Sequence, residues 1–203
     1  MGTCSINMNA DTAVTATFTA ETNYTYTISP TNKSFKANGG NLTVKVAGTG
    51  QNCPAPTVNI SDSWLSQSAM SWKNNAGKVK IVLQKNTSSQ NRTGVIWIGG
   101  NALTIEEDGA QCKLTAVKSS FKKFTNTGGI GNLDVIVSPQ DCAWNIATIS
   151  DWIHLNTSAG TGNGNVVFYV DTNATGKSRT GKIDASLATN VKKKKTLSLK
   201  QNK

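Results

Sequence analysis

One histidine serves the whole 203-residue chain, and that scarcity removes most catalytic and metal-binding arrangements before any motif is read. His154 stands in Trp152-Ile153-His154-Leu155, where alternation puts it on the side of Trp152 and makes it a strand histidine rather than a general base. A Ser-His-Asp grouping can be assembled only through it, and no nucleophile elbow is present. The four cysteines include no Cys-x-x-Cys pair, which argues against zinc and against a redox dithiol. No apolar run approaches the ~20 residues of a membrane span, and the N-terminus lacks the basic and apolar regions of a secretion signal. Glu and Leu are scarce while Asn, Thr, Ser and Gly are abundant, a balance that suits strands and turns and disfavours helices. The reading is non-catalytic, with no cofactor, no metal and no membrane insertion.

What is present is a repeat. Asn86, Arg92, Thr93, Gly94 and Ile96 return at one constant offset as Asn173, Arg179, Thr180, Gly181 and Ile183. Upstream, Phe35-x3-Gly39-Gly40 matches Phe124-x3-Gly128-Gly129, Cys53 matches Cys142, and Trp64-Leu65 matches Trp152-Ile153. A period of roughly 90 residues is too long for a solenoid unit and fits a small autonomous domain. Two copies in tandem are expected over 21–108 and 109–203, joined through Glu106-Glu107-Asp108-Gly109-Ala110, which reads as a solvated linker. Residues 1–20 alternate like a strand pair and read as the remnant of an upstream unit.

Period two dominates both copies. Tyr24, Tyr26 and Ile28 alternate with polar residues until Pro30 ends the run; Leu42, Val44 and Val46 correspond to Leu133, Val135 and Val137. Val79, Ile81 and Leu83 likewise correspond to Val166, Phe168 and Val170. Short strands separated by glycine and asparagine turns predict an all-β fold, two immunoglobulin-like antiparallel sandwiches in series. Cys112 opens the second copy and Cys142 falls in its third strand by this count, so a bridge between them would staple two strands, worth roughly 3–4 kcal/mol by loop closure. That points to an oxidising compartment, outside the cytoplasm. Cys4 and Cys53 either pair with each other or Cys4 has its partner upstream.

Cys142-Ala143-Trp144, Asp151-Trp152-Ile153, Gly160-Thr161-Gly162-Asn163-Gly164-Asn165-Val166, Asn173, Arg179-Thr180-Gly181-Lys182-Ile183 and Gln201 together resemble the BACON domain, a small sandwich of surface proteins and glycan-degrading enzymes in Bacteroidetes and other bacteria. The first copy diverges: Pro54 follows Cys53, the glycine-rich turn shrinks to Asn75-Ala76-Gly77, and its last strand ends in Glu106 where a glutamine is usual. Residues 1–20 resemble the end of an internalin B-type repeat. The resemblance implies an exported, multidomain protein with a carbohydrate-binding or adhesive role, or alternatively a spacer or an accessory module of a glycan-degrading enzyme, with flanking domains as neighbours.

The repeat works as an internal control, because residues kept in both copies serve the shared fold. Arg92 and Arg179, the only arginines, and Trp64 and Trp152 recur, which marks them as structural. Trp72, Trp97 and Trp144 do not recur. Trp144 follows a cysteine and reads as core, whereas Trp97 lies opposite Ile96 and Ile98 and Trp72 sits in a polar stretch, so both are candidates to stack on sugar rings. Residues 1–110 carry eight basic and six acidic groups, and 111–203 carry thirteen and five. Lys192, Lys193, Lys194 and Lys195, expected at a hairpin tip, form a candidate patch for an anionic glycan or cell surface, with no motif for specific nucleic-acid binding. Intact mass before and after reduction tests the Cys112–Cys142 bridge: a gain is expected, and an unchanged mass contradicts the export reading.

Overall fold

A computed structural model describes residues 24–203, and the readings made for residues 1–20 and for Cys4 lie outside the described residues. The described chain is all strand and turn. In order these are β1 (Thr25–Ser29), β2 (Asn32–Phe35), β3 (Gly40–Thr49), β4 (Val58–Ile60), β5 (Leu65–Lys73), β6 (Ala76–Leu83), β7 (Arg92–Ile98) and β8 (Asn101–Glu107). They continue as β9 (Lys113–Lys118), β10 (Lys123–Phe124), β11 (Gly129–Ser138), β12 (Ala143–Thr148), β13 (Ile153–Leu155), β14 (Ala159–Thr161), β15 (Gly164–Val170), β16 (Arg179–Leu187) and β17 (Asn190–Gln201).

These strands make four sheets and two cores. The first sandwich pairs β1-β3-β6-β5 with β2-β8-β7-β4; the second pairs β13-β15-β11-β9 with β10-β17-β16-β12-β14. The inward positions are those set by alternation: Val44, Val79, Ile81, Ile96, Ile98, Leu103 and Ile105 in one core, Val135, Val166, Phe168, Val170, Ile183 and Leu199 in the other, all fully buried. Each such side chain contributes roughly 1.5–3 kcal/mol. In both sandwiches the first strand changes sheets. β1 lies antiparallel to β3 while β2 runs parallel to β8, and β9 and β10 repeat this against β11 and β17.

One strand departs from the repeat. β5 is continuous along the edge of its sheet, whereas its counterpart splits into β13, which stays on β15, and β14, which crosses to β12. Cys112 is bridged to Cys142, and both sit just ahead of strands, β9 and β12, rather than within them.

The segment between the sandwiches is pinned. Asn86 Nδ2 donates to Asp108 O, Gly109 N donates to Asn91 Oδ1 at 2.8 Å, and Ala110 N donates to Ser88 O at 2.7 Å. A β-carbon on Gly109 would lie 2.0 Å from Ser89 O, so only glycine lets the chain pass this loop. Across the joint, the Asp141 carboxylate of the second sandwich accepts from Ser88 Oγ at 2.6 Å and from Ser89 N at 2.8 and 3.0 Å. The Ser88 hydroxyl bond, more than the partial desolvation that opposes it, holds the Asp141 carboxyl below its ordinary 3.8. A lowered folded-state value means the contribution is present above the ordinary carboxylate range and is lost as pH falls through the folded-state value. Residual dipolar couplings are therefore expected to report one fixed orientation of the sandwiches at neutral pH, released in stronger acid or by Asp141→Asn at pH 7. Unchanged couplings in Asp141→Asn contradict this.

Candidate functional site

Both sandwiches are closed at one end by the same clamp. Arg92 lies over the Trp64 ring with its guanidinium carbon 4.2 Å from the centroid, and Arg179 lies over Trp152 at 4.4 Å. In the second sandwich Arg179 Nε donates to Gln201 Oε1 at 2.8 Å and Nη2 to the carbonyls of Asp171 and Thr172, while the Gln201 amide donates to Thr125, Asn126 and Asp171 oxygens. In the first, Glu107 takes the glutamine's place, accepting from Arg92 Nε and Nη2 at 2.8 and 2.7 Å and from Gly39 N at 2.9 Å, and Arg92 Nη2 also bonds Gln84 O. The glutamine position is thus Glu107, not Glu106. Glu107 is wholly buried, so the acidic trio is not a solvated cluster, and no metal-binding group of side chains occurs among the described residues.

At the other end the two copies use different parts. Trp144 is buried, donates its indole N–H to Gly162 O at 2.8 Å, and lies on Gly164 beside the disulfide. In the first copy Trp72 fills the same place from a different strand, lying on Gly77, the counterpart of Gly164, and donating Nε1 to Cys53 O at 3.0 Å. Tyr26 packs edge-on against Trp72, Tyr24 against Tyr26, and Tyr26 Oη donates to Pro54 O at 2.8 Å. An aromatic trio replaces the disulfide, and Cys53 is a buried free thiol among the described residues. Trp72 is consequently half-buried and committed to the core, which corrects the expectation that it is exposed.

Trp97 stays in water. It is 50% exposed on the outer face of β7, with Asn59 of β4 and Ala102 of β8 as its cross-strand neighbours, at a shallow depression lined by Val58 to Ser61. Small neighbours leave the indole uncovered. The matching position in the second copy is Asp184, which accepts from Thr196 Oγ1 at 2.6 Å and Lys194 Nζ at 3.3 Å; mainly the threonine bond lowers its pKa.

Lys192 to Lys195 lie within β17, past the turn at Ala188-Thr189, rather than at a hairpin tip. All four are exposed, because β17 meets the core only from Leu197 onward. They border a shallow depression with Lys113, Leu114 and Cys112, while the Lys194 ammonium turns to Asp184. This side of β17 has no hydrogen-bonded strand partner before β10 joins at Lys200, so the lysines guard an unpaired sheet edge.

His154 points outward, away from the buried Trp152, because Asp151 and Trp152 form a turn and alternation begins only at Ile153. Its Nε2 meets Asp171 Oδ2 at 2.9 Å and its ring stacks on Tyr169, with centroids 6.3 Å apart and planes at 29°. Tyr169 is 48% exposed and its other cross-strand neighbour, Ile130, is 68% exposed. Sequence reasoning missed this row. The signal was available in Val166-Val167-Phe168-Tyr169-Val170, where an apolar run without alternation places large side chains on both faces.

The family model described as "Putative binding domain, N-terminal" matches residues 54–106 and 143–202, one segment in each sandwich. The chain belongs to the BACON family. No curated protein matches it. Among solved structures it is similar to a Bacteroides ovatus GH5 xyloglucanase in complex with a XXXG heptasaccharide, at 21% identity over 43% of this chain and 19% of that one, with a TM-score of 0.36. It is also similar to the Yersinia pseudotuberculosis adhesin InvE, at 15% identity over 90% of this chain and 59% of that one, with a TM-score of 0.46. The chain thus spans 19% and 59% of the lengths of these two proteins.

Each BACON module carries the Arg–Trp clamp inside its matched segment and leaves its outer sheet faces free to differ. Removing the partner of the Arg92 guanidinium tests how much the clamp holds. Glu107→Ala is expected to destabilise the first module by about 3–5 kcal/mol, since it strands a half-buried charge, while Glu107→Gln, which keeps an acceptor for Nε, costs less. Denaturant unfolding reads this, and a loss below ~1 kcal/mol in Glu107→Ala contradicts it.

Proposed function

We propose that the chain is a non-catalytic binding part of an exported or surface-displayed bacterial protein, with two BACON modules at 21–108 and 109–203 that attach to extracellular glycan. The observation that carries this reading is Trp97: a half-exposed indole flanked by the Asn59 amide, on a sheet face whose counterpart in the second module bears Asp184. An exposed indole stacks on the C–H face of a sugar while an adjacent amide meets a hydroxyl. The bridged cysteines support export, and the family's description as a binding domain supports a role without chemistry. The lysines of β17 add attraction for anionic surfaces.

A second reading is favoured by the joint. Asp141 on Ser88 and Ser89, together with the Gly109 passage, makes a stiff connection, as a stalk between flanking domains requires. A glycan array run with wild type and Trp97→Ala separates the two readings. Binding that survives physiological salt and falls about tenfold or more in Trp97→Ala is expected. Binding that vanishes with modest salt and follows Lys192 to Lys195 alone indicates electrostatic attachment, and an array blank at low and physiological salt leaves the stalk.

A further inference from the structure

The exposed row across β11, β15 and β13 has a built-in control. Ile130 and His154 flank Tyr169 as its two cross-strand neighbours on the outer face of the second module. The same three positions in the first module, paired in the same way, hold Asn41, Val82 and Ser66. One fold therefore forms with either set, and nothing in the packing of the sandwich calls for two stacked rings and an exposed isoleucine. The next row differs in the same sense, with Asn132 and Val167 where the first module has Thr43 and Lys80.

The rings are also fixed in place. Asp171 holds His154 through Nε2, His154 stacks on Tyr169, and Nδ1 is left to meet a hydroxyl. Rings held in register before a ligand arrives lose little entropy when it binds. The charges on this face are Asp134 and Asp171 against Lys118, opposite Asp134, and Lys113, opposite Ser138, both on the far edge strand β9, so the face is close to balance and does not select an anion. An exposed row that crosses three strands offers a strip rather than a hole, and it matches a chain whose sugars present C–H faces to a ring, with hydroxyls at the rim.

We infer that the outer face of β13-β15-β11, centred on Tyr169, binds a neutral β-1,4-linked polysaccharide chain, with Tyr169 stacking on one ring, Ile130 covering the next, and His154 donating or accepting at a hydroxyl. This rests on the glycan-binding reading above but names a different surface and a ligand class. The test uses the full chain with cellohexaose and mannohexaose as probes, titrated by calorimetry, in wild type, Trp97→Ala, Tyr169→Val and the triple exchange Ile130→Asn, Tyr169→Val, His154→Ser. These exchanges import the first module's own residues, and thermal melting checks that the second module still folds. Wild type is expected to bind a hexaose, with Tyr169→Val weaker by about tenfold or more and the triple exchange silent. Binding that is lost in Trp97→Ala and intact in Tyr169→Val overturns this inference and leaves the glycan reading standing. So does a wild type that binds other sugars on the array but neither hexaose. Sedimentation that shows a wild-type dimer dissolved by Tyr169→Val, without hexaose binding, assigns the face to a second copy and also overturns it. An array with no bound sugar removes the parent reading and this one together.

Discussion

A guanidinium laid on an indole and gripped from its edge is the contact on which each module depends. Arg92 on Trp64 and Arg179 on Trp152 tie the strand that begins at the arginine to the turn before β5 or β13 and to the end of the last strand, through Glu107 or Gln201. The planar, always-charged arginine is suited to this because it can stack and donate in its own plane at once. Lysine, a point charge without a plane, cannot do both at once. The amide of Gln201 adds a donor to three carbonyls from the turn after β10 and the end of β15, drawing them together, and Glu107 captures the Gly39 N–H. Among the described residues, no buried side-chain nitrogen or oxygen lacks a partner.

With that end fixed, the opposite end and the outer faces are free to vary, and they do. One copy closes with a disulfide and Trp144; the other closes with Tyr24, Tyr26 and Trp72. Gly164 stays small because the Trp144 ring lies on it, and Gly77 because the Ser71 carbonyl and the Trp72 ring both crowd it, the two rings arriving from different strands. Two chemistries solve one packing problem. The outer faces diverge further, with Trp97 against Asp184 and Tyr169 against Val82, whereas the cores exchange one apolar side chain for another, as in Ile81 against Phe168. Selection on a shared fold explains the sameness inside. A polar-for-aromatic difference at water-facing positions, which no packing in the module requires, calls for something outside it.

Much of this was legible in the chain itself. The alternation of Leu42, Val44 and Val46, repeated as Leu133, Val135 and Val137, set the inner faces, and the recurrence of Arg92 and Trp64 marked them as framework. Trp72 was not legible, because the bulge between Gln67 and Ala69 shifts the parity of β5 and its indole turns over the sheet end to find Cys53 O. Glu107 shares the parity of Leu103 and Ile105, yet its place in an acidic trio disguised a buried partner as linker. Tyr169 escaped because an apolar run hides which of its members face water, and only the register of β11 and β13 beside it resolves that.

The account turns on the division between framework positions shared by the copies and outward positions that differ. A saturation substitution scan of the whole chain, read out as folding stability, tests that division most directly. It predicts intolerance at Trp64, Arg92, Glu107, Trp152, Arg179 and Gln201, and broad tolerance at Trp97, Ile130, Tyr169 and the four lysines of β17. Stability losses at the exposed, unshared positions as large as those at the clamp would contradict it, since those residues would then be parts of the fold and not of a surface.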